Sequence, residues 1–148
     1  MIAGVGYLLD TNIVLSLMRM NPLGTFIETT YGLRASLSRS LISVVTAGEM
    51  LSLGRQFGWG RSKLDALEAM LHQLVWIDIS DSQILDAYGE LDHECRRAGR
   101  PMGENDVWIA ATARVTKATL LTTDLDFDHL HGTWIDRIWI DPNTGKTS

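Results

Sequence analysis

Four acidic residues carry the chemistry that this chain offers: Asp10 in "GYLLDTNIV", Glu49 in "ISVVTAGEML", Asp106 in "GENDVWIAATA" and Asp124 in "LLTTDLDF". Each has an ordinary explanation when taken alone. Thr46-x-x-Glu49 reads as a capping box, Asn105 or Asp106 as a helix cap, Asp10 as a cap after a strand, and Asp124 as a turn residue. Taken together, those roles do not explain why all four should meet at one place. Two like charges ~4 Å apart repel by about 4 kcal/mol at an effective dielectric near 20. Helix N-termini offset part of that, and protonation or a bound cation must relieve the rest. Oxygen donors of this kind suit hard divalent ions, Mg²⁺ or Mn²⁺. Such an ion can activate water and stabilise the leaving oxygen of a phosphodiester.

The elements that must bring these residues together are legible as an alternation. Apolar runs at 7–9, 41–45, 75–79 and 119–122 read as buried parallel strands, with a fifth candidate at 137–140. Helical periodicity lies between them. Ala47, Met50, Leu51 and Leu53 mark one face, as do Leu64, Leu67, Met70, Leu71 and Leu74. Ile84, Leu85, Tyr88, Leu91 and Cys95 mark a third, closed by Gly99 and Pro101. "NDVWIAATARVTK" is apolar over most of its surface, as befits a covered helix, and Asn105 is read as its cap, leaving Asp106 free. Strands alternating with helices predict a three-layer α/β/α fold around a parallel sheet of four to five strands. In such a sheet, strand C-termini and helix N-termini share one rim, and ligands bind there where the strand order reverses. All four acids belong to that rim.

The bulk composition bounds the rest. With 148 residues, 45% hydrophobic and 21% charged, the chain suits one folded domain, assigned to 1–141, with a loose tail over 142–148. The net charge of −5 argues against binding nucleic acid by overall charge, so any such partner needs a local basic patch or metal ions. One cysteine excludes an internal disulfide. The opening "MIAGVGYLLDTN" has no basic leader, and no apolar stretch spans a membrane, so a cytoplasmic place is expected. Residues 21–40 are irregular, with Pro22 able to start a short helix and "RASLSRS" to end one. The terminal "GKTS" is no phosphate loop, since Ile140 stands where the first glycine belongs and no helix follows.

The motifs "LLDTNIVL", "ISVVTAGEML", "GRPMGENDVWIAATA" and "LLTTDLDFDHL", in that order, span nearly the whole chain. As a set they resemble the PIN-domain ribonucleases, and most closely the VapC-like toxins of type II toxin–antitoxin pairs. The resemblance implies a Mg²⁺- or Mn²⁺-dependent endoribonuclease cutting structured RNA, often tRNA or rRNA. It also implies a homodimer and a VapB-like antitoxin that blocks the site. By motif it makes Asp10, Glu49, Asp106 and Asp124 the metal-binding acids, with Asn12 and Thr123 as supports. Asp126 is either a further acid of the site or the cap of a short helix.

Other residues are weighed against simpler roles. Arg96, Arg97 and Arg100 could touch RNA phosphates or merely complement a helix C-terminus. A helix following a strand runs down from the rim, which would set Arg96 and Arg97 away from the acids and leave Arg100 nearer. His129 and His131 are read as loop histidines, Cys95 as a buried apolar residue, and Trp76, Trp108 and Trp139 as core. Trp59, in "FGWG", either packs on the next helix or is exposed to a base or partner. Two rival functions fit parts of the same sequence. An aspartyl phosphotransfer domain wants a second Asp where Asn12 stands, or a Lys after a late strand, whereas Lys117 precedes it. A PIN-like module that binds RNA or protein without cutting is the other.

Overall fold

The computed structural model describes residues 6–148; residues 1–5, the opening of the stretch read above as lacking a leader, lie outside it. Five strands form one wholly parallel sheet: β1 (Leu8–Leu9), β2 (Leu41–Ser43), β3 (Val75–Ile77), β4 (Leu120–Thr122) and β5 (Arg137–Trp139), in the order β3-β2-β1-β4-β5. Six helices accompany them: α1 (Thr11–Arg19), α2 (Pro22–Tyr31), α3 (Val44–Gln56), α4 (Arg61–Gln73), α5 (Ser82–Arg97) and α6 (Glu104–Thr116). Two 3₁₀ segments cover Leu33–Arg39 and Leu125–Leu130.

The layering follows from the period-2 alternation of strand side chains. Register pairs Leu8 with both Leu41 and Leu120, and these three point into a core shared with Val107, Ala110 and Phe127 beneath α5, α6 and the second 3₁₀ segment. Their chain neighbours Leu9, Ile42 and Leu121 point the other way, into a core with Ile13, Met50 and Leu67 under α1 to α4. Double-sided burial is why these strands read as continuous apolar runs. On the second face, Gly24 lets α2 approach α1 closely; a Cβ there would lie 2.1 Å from the Ser16 carbonyl oxygen.

Several expectations change. β3 is an edge strand: Val75 and Trp76 are 39% and 42% exposed, so Trp76 is not core. Its ring stacks on His72 and its Nε1 donates to the Leu71 carbonyl. Trp108 and Trp139 are half-buried. Leu85 faces solvent, and Ala87 takes its place on the buried face of α5. Pro22 does open α2, capped by the Asn21 side chain on the Gly24 N–H, but "RASLSRS" forms its own 3₁₀ segment. The tail is not loose. Thr147 bridges antiparallel to Ile140, Ser148 and Trp139 exchange backbone hydrogen bonds, and Gly145 at positive φ lies against the Phe26 ring. Unsatisfied strand-edge groups of β5 explain the return.

The largest difference concerns α5. It does not descend from the rim but lies antiparallel to α6, packed through Tyr88 stacked on Trp108 with centroids 3.9 Å apart: Glu90 pairs with Arg114, near the end of α6, at 3.1 Å. Toward the other end, Arg96 is within electrostatic reach of Glu104, the first residue of α6. The basic end of α5 therefore lies beside the start of α6, on the acids' side.

Candidate active site

The sheet order reverses between β1 and β4, and Asp10 and Asp124 stand just beyond the ends of those two strands. Asp10 is 4% exposed. Its Oδ1 accepts the Thr11 N–H at 2.8 Å, making it the N-cap of α1, while its Oδ2 accepts the Thr122 hydroxyl at 2.7 Å. Thr122, fully buried at the end of β4, also accepts the Asp124 N–H at 2.9 Å, so one hydroxyl ties the two acidic positions together. Asp124 in turn caps the second 3₁₀ segment, its Oδ1 taking the Asp126 N–H at 2.8 Å.

Glu49 arrives by a different route than a capping box. The cap of α3 is Ser43, whose hydroxyl accepts the Val45 N–H, so Glu49 sits in the second turn of the helix. Its Oε1 accepts the Thr11 hydroxyl at 2.7 Å. Thr11 Oγ1 also lies 3.1 Å from Thr46 Oγ1. Because Thr11 has a single hydroxyl proton and gives it to the carboxylate, Thr46 must be the donor in that contact. Two threonines thus aim Glu49. Asp106 lies half-buried in the first turn of α6, whose N-cap is Gly103 rather than Asn105. Asn105 is exposed and makes no cap hydrogen bond.

The crowding shows in the proton affinities. Burial, opposed by the two hydrogen bonds and reinforced by Asp124 and Glu49, pushes Asp10 up to about 6. Burial first, then Asp10, Asp124, Glu49 and Asp126, pushes Asp106 up to about 7. All five carboxylates therefore share one field. Asp106, Asp124 and Asp126 each offer an oxygen within 4.8 Å of the others, the one such donor group among the described residues. An all-oxygen, half-exposed set of this kind fits Mg²⁺ or Mn²⁺.

Asp10, Glu49, Asp106 and Asp124 are thus brought together, and Asp126 joins them while also opening the 3₁₀ segment. Asn12 is exposed on α1, and its side chain makes no hydrogen bond to the described residues. Thr123 supports the site only through its backbone carbonyl, which accepts Trp139 Nε1 at 3.0 Å. The supporting hydroxyls are instead Thr11, Thr46 and Thr122. The signal for Thr122 was its place on an apolar strand, where a buried hydroxyl needs a partner. The histidines stay out: His131 Nδ1 accepts the Arg137 N–H, and His129 Nε2 lies 3.4 Å from Cys95 Sγ. Burial pushes the Cys95 thiol up, which leaves it un-ionised. Arg96 and Arg97 are exposed and pair with Asp92 and Glu94, whereas the Arg100 side chain makes no ion pair with the described residues. Lys117 caps the far end of α6, as a phosphotransfer reading would not allow.

A parallel sheet with acids gathered at its switch point defines a class of α/β domain with an acidic site at the strand ends. The chain belongs to the PIN-domain family, whose model matches residues 7–132. It is similar to "Ribonuclease VapC1" of Haemophilus influenzae strain R2866, 30% identical over 116 residues that cover 78% of this chain and 84% of the relative. Among solved structures, VapBC-1 from nontypeable Haemophilus influenzae matches with a TM-score of 0.70 at 27% identity, over 88% of this chain and 95% of that one. VapBC2 from Rickettsia felis, bound to a DNA fragment from its promoter, matches with a TM-score of 0.73 at 25% identity, over 88% and 96%. No helix among the described residues is long and apolar enough to cross a membrane.

Proposed function

We propose that this protein is a divalent-metal-dependent endoribonuclease and the toxin of a type II toxin–antitoxin pair, cytoplasmic, homodimeric and silenced by a VapB-like antitoxin. The observation that carries the reading is the meeting of Asp10, Glu49, Asp106, Asp124 and Asp126 at the β1–β4 switch point, with three of their oxygens within 4.8 Å of one another. The ribonuclease name of the VapC1 relative and the VapBC complexes among the structural neighbours support the same reading. Asp106, Asp124 and Asp126, with Asp10 and Glu49 behind them, would hold Mg²⁺ or Mn²⁺. Bound there, the ion supplies positive charge to the phosphodiester oxygens as the phosphorus becomes more anionic.

The protein's own part is positioning. Thr122 and the Thr11 N–H occupy both oxygens of Asp10 and hold its carboxylate still. Thr11 and Thr46 hold Glu49 toward the centre. Asp106 accepts no hydrogen bond from the described residues, so its oxygens are free for a cation; burial and the neighbouring carboxylates, which push it up to about 7, make a positive charge welcome there. Arg96, Arg97 and Arg100, at the end of α5 nearest α6's start, hold RNA phosphates beside the acids, and tRNA or rRNA is the expected substrate class. The test is incubation of purified protein with total RNA, with Mn²⁺ or with chelator, beside an Asp10→Asn variant. Metal-dependent fragments that vanish in the variant are expected. Identical RNA patterns in every lane would favour a binding module instead.

A further inference from the structure

Away from the acids, the end of α1 and the turn between α3 and α4 carry a group of cations and aromatic rings that the site does not use. Arg19, the last residue of α1, places its guanidinium 4.6 Å from the centroid of the Phe57 ring. Lys63, in the first turn of α4, places Nζ 4.2 Å from the Trp59 ring. The two rings lie 6.0 Å apart at 38°. Phe57 is 45% exposed, an unusual outlay of apolar surface in solvent. Trp59 is half-buried, packed where a Cβ on Gly54 would meet its ring at 3.2 Å, so it is a fixed platform and not a loose side chain. Arg55 and Arg61 flank the pair.

The charge here opposes that of the molecule. The chain carries −5 overall, yet no Asp or Glu occurs from Thr11 to Ile27 or from Met50 to Leu64. Asp65, one residue beyond the second of these stretches, meets Arg61 only at 4.0 Å with both side chains mostly in solvent, a contact that neutralises little. Rings that each carry a cation over one face, with a further arginine only weakly paired, match a single nucleic-acid strand: a base stacks on an exposed ring such as Phe57 while phosphates meet the cations. An acidic protein segment would use the cations but would leave the rings without a flat partner.

We propose that Arg19, Arg55, Phe57, Trp59, Arg61 and Lys63 form a second RNA-binding site, which holds a single-stranded part of the substrate while the acids act on another part. The inference rests on the nuclease reading for the identity of the RNA. α1 links the two places, since Asp10 caps one end and Arg19 is the other; nine helical residues set them roughly 13 Å apart along its axis. One RNA strand of about a dozen nucleotides reaches both, whereas a dinucleotide held at the acids does not.

The test uses a fluorescein-labelled single-stranded RNA of about twelve nucleotides. Its affinity is measured by anisotropy in chelator, in an Asp10→Asn background, for the unaltered surface, for Phe57→Ala and for Arg61→Glu with Lys63→Glu. These side chains are exposed or at the surface, and unchanged melting temperatures verify the fold. Each variant is expected to weaken binding roughly tenfold, as the loss of one stacked base does. The charge reversal also flattens the dependence of log affinity on log salt by about one to two. With Asp10 restored and Mn²⁺ present, KM for the long RNA rises while the rate on a dinucleotide is unmoved. Weakened binding without cutting in any variant would sustain this site and sink the nuclease reading. Metal-dependent cutting with affinity and KM indifferent to both variants would sink this site and leave the nuclease. Displacement of the RNA by a polyglutamate peptide at equal charge concentration would overturn it in favour of an acidic protein partner.

Discussion

Replacing Asp10 with Asn should stabilise the metal-free protein at neutral pH, although it disables the proposed site. The Asp10 carboxyl is raised from 3.8 to about 6, chiefly by burial. A raised carboxylate pKa means that the folded state binds the proton more tightly than the unfolded chain. Its contribution to stability is full below about pH 4 and is lost as pH climbs to about 6. A shift of about two units corresponds to about 3 kcal/mol. Asn carries no charge to desolvate and keeps the shape. Its Oδ1 can still accept the Thr11 N–H, and its amide can donate to Thr122 Oγ1, which has lone pairs for both that group and the Asp124 N–H. Allowing about 1 kcal/mol for the rearranged bonds, the gain is about 2 kcal/mol at pH 8. For a domain of this size that is about 4–8 °C in melting temperature. Thermal unfolding followed by circular dichroism in chelator, at pH 4.5 and pH 8, measures it; the advantage should shrink toward the acid end. Mg²⁺ should then reverse the order. At a concentration about 100 times its Kd it stabilises the unaltered protein by about 2.7 kcal/mol and the variant by less. A variant less stable than the parent at pH 8 in chelator, or a parent whose stability ignores pH, would refute the reasoning.

Thr122→Val removes the hydroxyl shared by Asp10 and the Asp124 N–H without changing the side chain's shape, and should weaken Mn²⁺ uptake by about 10- to 100-fold in titration calorimetry. Thr11→Val should leave Glu49 unaimed and lower the cleavage rate at saturating metal, with Thr11→Ser restoring most of it. Gly24→Ala would press a methyl group against the Ser16 carbonyl and force α2 off α1, costing about 1–3 kcal/mol in denaturant unfolding. Cutting the chain after Asp141 should expose the edge of β5 and lower the melting temperature, and would leave it unchanged if the tail contributed nothing.

The sequence by itself determined the alternation of strands and helices, the two-sided burial of the sheet and which four acids share one rim. Those properties live in local periodicity and residue type, which read directly: Leu8-Leu9 and Leu120-Leu121 are apolar on both faces because both faces are covered. Topology alone put Asp10, Glu49, Asp106 and Asp124 on one rim, since parallel crossovers leave few choices. Only the tertiary structure decided which hydroxyls serve them. Thr122 and Thr123 are adjacent and chemically alike, and a strand's alternation turns one inward to Asp10 and leaves the other to offer its carbonyl. The same holds for Ser43, which captured the helix start that Thr46 was expected to make, and thereby freed Thr46 and Glu49 for Thr11. The direction of α5, and with it the place of Arg96, Arg97 and Arg100, also lay beyond the sequence. A helix's periodicity states which face is buried but not which way it runs; that was settled by Glu90 meeting Arg114 at the end of α6 while Arg96 reaches Glu104 at its start.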